Sequence, residues 1–100
     1  MRVDRDQVVR ALRVQREHIE RDYGMRLVGI VGSMARGEAT AESDIDVLVD
    51  IVEAPSLFRI VEAEEVLARA VGLDLPVELV FREDLKPAMR ARMERDFLPL

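Results

Sequence analysis

The segment from Asp44 to Val52 alternates between two kinds of side chain at every second position. One set holds the aspartates Asp44, Asp46 and Asp50 together with Leu48. The other set is entirely β-branched and consists of Ile45, Val47, Val49 and Ile51. A period of two belongs to a β-strand, whose successive side chains point to opposite faces. The segment therefore predicts a strand with one apolar face for burial and one face that carries carboxylates.

Helix and strand signals alternate along the rest of the chain. Apolar residues at helical spacing predict helices over residues 4–23, 57–71 and 85–94, and short β-branched runs predict strands over 26–31 and 77–81. A short helical turn is expected after the first strand, which gives the order α-β-α-β-α-β-α. This order predicts an α/β fold in which helices pack on a three-stranded mixed sheet, within a single domain that spans residues 1–100.

The ends of the helices carry recognisable signals. Asp4 followed by Gln7 resembles a capping box at the start of the first helix, and Gly24 and Gly72 are typical helix stops. Pro87 suits the first turn of the last helix, where its missing N–H costs little. In that helix Met89 and Met93 continue a spacing that begins at Leu85, which predicts a stripe facing the core.

Composition narrows the class of function. The chain has 20 acidic and 15 basic residues, a net charge of −5 and no cysteine. Proteins that bind nucleic acids in general carry an excess of Lys and Arg, so this class is disfavoured, and any metal ligands would be oxygens. No signal peptide and no apolar run of about 18 residues is present, so we expect a cytoplasmic protein without a membrane span. The 49% apolar content permits a homo-oligomer without requiring one.

The acidic pair at the start of the second strand predicts a cation site. Asp44 and Asp46 are two residues apart, so their carboxylates share a face about 6.5–7 Å apart along the backbone. Such charges repel each other unless a cation lies between them, and Mg²⁺ prefers one or two carboxylates with waters and phosphates. A solvated strand face is an equally open alternative for the pair alone. Upstream, Gly32 and Ser33 follow a strand, where free N–H groups and a hydroxyl suit phosphate oxygens, although a simple turn is the alternative.

These residues together resemble a known signature. The run Gly32-Ser33-x-Ala35-Arg36-Gly37, then five residues, then Ser43-Asp44-Ile45-Asp46-Val47 resembles that of the polymerase-β-like nucleotidyltransferase superfamily, and most closely its minimal nucleotidyltransferases. The resemblance implies transfer of AMP from ATP to a hydroxyl acceptor. It also implies Mg²⁺ on Asp44 and Asp46, and phosphates on Gly32, Ser33 and, as one alternative, Arg36. The other alternative for Arg36 is a pair with a nearby acid such as Glu38 or Glu42.

The third carboxylate is where the sequence departs from the family pattern. Members usually place an aspartate on a later strand to complete the metal site, and the matching position here is Glu78, whose side chain is one methylene longer. Glu78 either ligates Mg²⁺ or faces solvent. The resemblance therefore implies either an enzyme or a non-catalytic module of the same fold that binds and neutralises a partner.

The family also suggests a partner. Minimal nucleotidyltransferases usually accompany a helical HEPN-type toxin, whose tyrosine is the suggested acceptor, and act as its antitoxin. A third alternative, an antibiotic-modifying nucleotidyltransferase, ordinarily has an added helical domain. The pattern Arg13-x₄-His18 superficially matches HEPN ribonucleases themselves, but those proteins are all-helical and this chain has three strand signals.

Overall fold

A computed structural model describes residues 4–40 and 42–100. Residues 1–3 and 41, which the predicted single domain includes, lie outside the described residues. The elements in chain order are α1 (Arg5–Tyr23), β1 (Met25–Val31), α2 (Ser33–Arg36), β2 (Ile45–Ile51), α3 (Leu57–Val71), β3 (Val77–Phe81), α4 (Pro87–Arg95) and β4 (Leu98–Pro99), with a 3₁₀ turn at Arg82–Asp84 before α4. The predicted α/β fold and its element order are confirmed.

The strands form one mixed sheet in the order β3-β2-β1-β4. β1 and β2 pair antiparallel, and β3 pairs parallel to β2 after the crossover through α3. This arrangement makes β2 a central strand with β1 on one side and β3 on the other. The register of β1 against β2 is interrupted by a bulge between Leu27 and Gly29.

The predicted count of three strands is wrong, because β4 adds a fourth at the edge beside β1. Its two residues are too few to show a period, and Pro99 lacks the N–H that a central strand needs. The pairing is antiparallel, with Leu98 opposite Ile30 and Pro99 opposite Gly29. The ring of Phe97 lies over Gly29, where the absence of a β-carbon leaves room for it.

The hydrophobic core lies on the apolar face of β2, beneath α1 and α3. All three of these elements contribute fully buried side chains: Val8, Leu12 and Ile19 from α1, Ile45, Val47 and Val49 from β2, and Ala63 and Leu67 from α3. The apolar face that the alternation in β2 predicts is therefore the face that is buried in the core. No helix within residues 4–40 and 42–100 combines the length and the hydropathy that crossing a bilayer requires.

The helix ends follow their sequence signals, with one difference. Gly24 and Gly72 adopt the left-handed conformation with φ of 70° and 71°. Asp4 Oδ1 accepts from the backbone N–H of Gln7 at 3.4 Å, as a capping box requires. The Gln7 side chain, however, donates to the carbonyl of Val71 at 3.2 Å and so connects the start of α1 to the end of α3.

The prediction of a core-facing stripe on the last helix is wrong. None of the residues from Pro87 to Arg95 is buried, and Met89 is 49% exposed. The physical reason is that α4 lies on the acidic side of the sheet, where β2 offers Leu48 as its apolar contact. Leu48, Met93 and Phe97 line a shared cavity of about 60 Å³.

Polar contacts hold α4 to the sheet. Arg90 donates to the carbonyl of Arg82 at 3.2 Å, and the Arg82 guanidinium forms an ion pair with Asp50 on β2. Two arginines of the segment that leads into and through α4 therefore make specific contacts.

The close approach of Phe97 to Gly29 yields a testable prediction. In Gly29→Ala the added methyl would overlap the Phe97 ring and lie 2.8 Å from the carbonyl oxygen of Leu98, so β4 must move. We expect a loss of about 1–3 kcal/mol in the free energy of unfolding, measured by urea denaturation. The double variant Gly29→Ala/Phe97→Ala should lose less than the sum of the two single variants. Strict additivity would contradict the proposed contact.

Candidate active site

The acidic face of the sheet brings Asp46 and Glu78 together. They are direct partners in the parallel register of β2 and β3, so their backbones are about 4.8 Å apart. On its other side, Asp46 pairs with Val31, the last residue of β1. Asp46 is half-buried and Glu78 is exposed. The sheet thus sets the Asp46 carboxylate between the end of β1 and the third carboxylate predicted from the sequence.

Gly32 occupies a conformation that few other residues can adopt. Its φ of 75° and ψ of −151° lie in a region that is essentially restricted to glycine. A β-carbon at this position would also lie 2.7 Å from Asp46 Oδ2. Both the backbone and the neighbouring carboxylate therefore require glycine, and the predicted turn residue and the predicted acidic residue meet at one corner.

Two turns frame this corner. In the first, Arg36 N–H donates to the carbonyl of Gly32 at 3.2 Å, which closes α2, and the half-exposed Ser33 begins that helix. In the second, the Ser43 hydroxyl accepts from the N–H of Thr40 at 2.9 Å, just before the exposed Asp44. The second turn delivers Asp44 to the start of β2, which is anchored by the bond from Ile45 N–H to the carbonyl of Pro76 at 2.8 Å.

Arg36 takes the ion-paired alternative in this structure. Its Nε lies 3.0 Å from Glu38 Oε2, as the sequence suggested, and its Nη1 lies 3.5 Å from Asp96 Oδ2, at the end of α4. The pair with Glu38 is the main cause that raises the pKa of the Arg36 guanidinium. Asp96 was not a sequence candidate, because no local pattern links it to a residue 60 positions earlier.

The electrostatic environment of Asp46 differs from that of Asp50 on the same strand. Partial burial raises the pKa of Asp46, and the nearby charges of Glu78 and Asp44 raise it further. The hydrogen bond from Arg82 lowers the pKa of Asp50. The ion pair accounts for the Asp50 charge. Within residues 4–40 and 42–100, by contrast, no cationic side chain forms an ion pair with Asp46.

The residues partly fit a magnesium site. Within residues 4–40 and 42–100, no three His, Cys, Asp or Glu side chains converge closely enough to hold a metal ion by themselves. The donor chemistry does fit, because the Asp46 carboxylate is close to those of Glu78 and Asp44, which repel it. Such carboxylates suit a cation whose other ligands are waters and phosphates. Asp44, Asp46 and Glu78 therefore supply the donor type of a cation site without forming a closed set of ligands.

One helix contributes to the site beyond the sequence candidates. A groove of about 200 Å³, which we term the α4 groove, separates α4 from the Gly32 and Asp46 corner. Its α4 wall consists of Met89, Arg92, Met93 and Asp96. Their spacing of three and four residues is a sequence signal for one helical face, but the methionines alone suggested a core stripe.

Comparison with known proteins decides the family. The profile of the Nucleotidyltransferase domain matches residues 12–98. This chain belongs to the nucleotidyltransferase family. It is 35% identical over 91 residues to the protein adenylyltransferase MntA of Thermococcus cleftensis, with 91% of this chain and 90% of the relative covered. The resemblance found in the signature residues is thereby confirmed.

Solved structures agree with this membership. A structure assigned provisionally as a minimal nucleotidyltransferase superposes with a TM-score of 0.76 at 31% identity, covering 98% of this chain and 97% of its own. A crystal structure of a toxin–antitoxin with AMP-PNP shares the fold at a TM-score of 0.65 and 20% identity, covering 97% of this chain and 72% of its own. The nucleotidyltransferase profile spans both turns and the acidic strand faces that form the candidate site.

The conformation of Gly32 can be tested against that of Gly37. Gly32→Ala should lower the free energy of unfolding by about 1–3 kcal/mol, because alanine is strained in this region and its methyl would press on Asp46. Gly37→Ala is the matched control, since Gly37 has the same φ of 75° but its nearest neighbour would be 3.7 Å away. We expect Gly37→Ala to cost about 1 kcal/mol in urea denaturation. Equal losses in the two variants would contradict the contact with Asp46.

The opposite pKa shifts of Asp46 and Asp50 predict opposite mutational effects. The pKa of Asp46 is higher in the folded protein than in the unfolded chain. The free energy of unfolding therefore falls as the pH rises from the unfolded pKa to the folded pKa. Asp46→Asn should therefore stabilise the protein by about 0.5–1 kcal/mol at pH 7, a gain that disappears below about pH 4.

Asp50→Asn is the matched control for this measurement. The pKa of Asp50 is lower in the folded protein, so its ionised form stabilises the fold above the pKa of the unfolded chain, and this stabilisation is lost as the pH falls. Asp50→Asn should therefore be destabilised at pH 7, by about 0.2–1 kcal/mol for a largely exposed pair. The difference from the unmodified protein should vanish on acidification. Urea denaturation at a series of pH values measures both effects, and effects of the same sign would refute the charge assignment.

Proposed function

We propose that the chain is a Mg²⁺-dependent protein adenylyltransferase that transfers AMP from ATP to a hydroxyl group of a partner protein. The observation that carries the proposal is the corner where Gly32 meets the carboxylate of Asp46, with Glu78 on the adjacent strand. Membership in the nucleotidyltransferase family and the similarity to a protein adenylyltransferase support it. Because ATP is the substrate, we place the reaction in the cytoplasm.

The proposed reaction is a single displacement at phosphorus. The acceptor oxygen forms a bond to the α-phosphorus of ATP while the bond from that phosphorus to the bridging oxygen breaks. The bridging oxygen keeps the electron pair and leaves as part of pyrophosphate, and the acceptor proton passes to the Glu78 carboxylate. Glu78 is exposed, so it can return this proton to solvent. Atoms and charge are thus balanced without an additional reactant.

Each site residue has a distinct task in this proposal. Asp44 and Asp46 hold Mg²⁺, which when bound supplies charge neutralisation of the triphosphate and activation of the acceptor hydroxyl. Gly32 and Ser33 face the phosphates, because the glycine lets the ligand approach the backbone closely and the serine hydroxyl can donate. Arg36 can join them only by exchanging its carboxylate partners for phosphate oxygens.

A partner protein is part of the proposal. The structurally similar toxin–antitoxin supports an antitoxin role, in which the acceptor is a tyrosine of a HEPN-type helical toxin. This chain exposes large apolar side chains on the first turns of α3, where Leu57 is 75%, Phe58 86% and Val61 46% exposed. They lie three and four residues apart on one helical face, and exposed apolar clusters of this kind commonly mark protein contacts.

A non-catalytic binding module is the second candidate function. The observation that favours it is that the described carboxylates do not converge into a group of three. Such a module would bind the partner and neutralise it by covering its surface. The two candidates differ in whether the partner gains mass.

The experiment is to incubate the protein with ATP, Mg²⁺ and its candidate helical partner and to record the partner's intact mass. We expect the addition of one AMP, which chelation of Mg²⁺ prevents. Asp44→Ala should reduce transfer to background, because one carboxylate of the pair is lost. Asp50→Asn changes an aspartate of β2 outside the candidate site and is the control that should retain transfer. Tight partner binding without any mass change would favour the module instead.

Glu78 is tested in the same assay. Glu78→Gln should lower kcat by about 100-fold, the low end for loss of a proton-transfer group, with little change in the KM for ATP. Glu78→Asp should restore part of the rate, because a carboxylate is again present on the strand. Full activity in Glu78→Gln would show that this side chain only faces solvent.

A further inference from the structure

The α4 groove contains one face of the last helix. Met89, Arg92, Met93 and Asp96 follow the spacing of three, one and three residues that places side chains on the same side of a helix. This face lies opposite Gly32 and Asp46, so the groove is continuous with the candidate active site. Any ligand whose phosphates reach Asp46 through a bound Mg²⁺ can extend along α4.

Met89 is an unusual residue for an exposed position at such a site. Its side chain is 49% exposed and lines the groove beside a second thioether, that of the half-buried Met93. Methionine sulfur is polarisable and makes favourable contacts with aromatic rings, and the flexible side chain adapts to flat ligands. The two thioethers therefore offer an apolar surface suited to a planar aromatic group.

Arg92 supplies a cation in the same groove. Among the described residues no carboxylate forms an ion pair with it, and the four residues outside that set carry no side-chain carboxylate. Arg36, by contrast, is paired with Glu38 and Asp96. A guanidinium without a partner is well suited to phosphate, which it can contact through two parallel hydrogen bonds.

We propose that α4 is the nucleotide-binding wall of the site, with the base of the nucleotide against Met89 and Met93 and the triphosphate reached by Arg92. The inference rests on the proposed function, because it takes a nucleoside triphosphate as the ligand. The apolar surface complements the base, the Arg92 cation complements the triphosphate, and the adjacent acidic site complements the Mg²⁺ that accompanies it. At about 200 Å³ the groove is smaller than pockets that enclose a drug-sized ligand, so it takes part of the nucleotide and leaves the rest toward Asp44.

Two probes separate the base from the phosphates. Isothermal titration of the full chain with Mg²⁺-ATP and with Mg²⁺-tripolyphosphate should give different responses to α4 variants. Met89→Ala should raise the Kd for ATP by roughly 3- to 10-fold and leave that for tripolyphosphate unchanged. Met89→Leu should stay within about 3-fold of the unmodified protein, because an apolar surface remains. Arg92→Gln should weaken both ligands by roughly 10-fold.

Matched controls come from the same molecule. Arg95→Gln removes another exposed α4 arginine that does not line the groove, and Val14→Ala shortens an exposed apolar side chain on α1. Both variants should bind ATP as the unmodified protein does. Thermal unfolding of each variant identifies any loss of affinity that follows from unfolding.

Methionine oxidation gives a second readout that needs no substitution. Peroxide should oxidise Met89 readily, and Mg²⁺-ATP should slow this oxidation, whereas Met25 and Met34 are buried and serve as internal references. Protection of Met89 by ATP supports the inference. Protection by a partner protein together with none by ATP would overturn it, because the groove would then be a protein contact.

The outcomes distinguish this inference from the proposed function. Unchanged ATP affinity in Met89→Ala, or an equal loss for ATP and tripolyphosphate, would overturn the inference even if AMP transfer proceeds. ATP binding that responds to Met89→Ala without any AMP transfer would support the inference and contradict the transferase. An unmodified protein that binds no nucleotide would overturn both.

Discussion

The two faces of β2 have opposite requirements for water, and the rest of the structure is arranged around this difference. The Ile45, Val47 and Val49 side must stay dry, and α1 and α3 cover it with fully buried side chains. The Asp46 side must stay hydrated or bind a cation, because partial burial and its like-charged neighbours already raise the pKa of that carboxyl. A helix laid tightly across this second face would bury charges without partners, at a cost of several kcal/mol. The position of α4 at the margin of that face satisfies this constraint.

Much of this architecture could be predicted from the sequence, because it depends on local signals. The period of two in β2, the apolar stripe of α3 and the helix stops at Gly24 and Gly72 are each set by neighbouring residues, and they determine the element order. Strand β4 could not be predicted in this way, since two residues show no period and their pairing depends on the space above Gly29. The Met89 and Met93 spacing predicts a core stripe wrongly, because periodicity identifies residues that share a face without identifying what that face contacts.

The candidate site shows the same division. The candidate roles of Gly32, Asp44 and Asp46 could be predicted from their motif. In the structure the Asp46 carboxylate lies so close to the Gly32 backbone that a β-carbon would not fit. Two features have no local signal in the sequence, because they depend on the approach of distant segments. They are the ion pair between Arg36 and Asp96 and the position of Arg92 in the groove beside Gly32 and Asp46. The roles of these residues in nucleotide transfer remain predictions, whereas family membership follows from the profile match and the similarity to MntA.

The attachment of α4 through polar groups has a consequence for how the molecule opens. Its residues are not buried, and it is held by the bond from Arg90 to the carbonyl of Arg82 and by the ion pairs of Asp50 and Asp96. Exposed ion pairs weaken as salt screens them, whereas the core beneath α1 and α3 depends on the hydrophobic effect. Moderate salt should therefore speed amide hydrogen exchange in α4 while β2 stays protected.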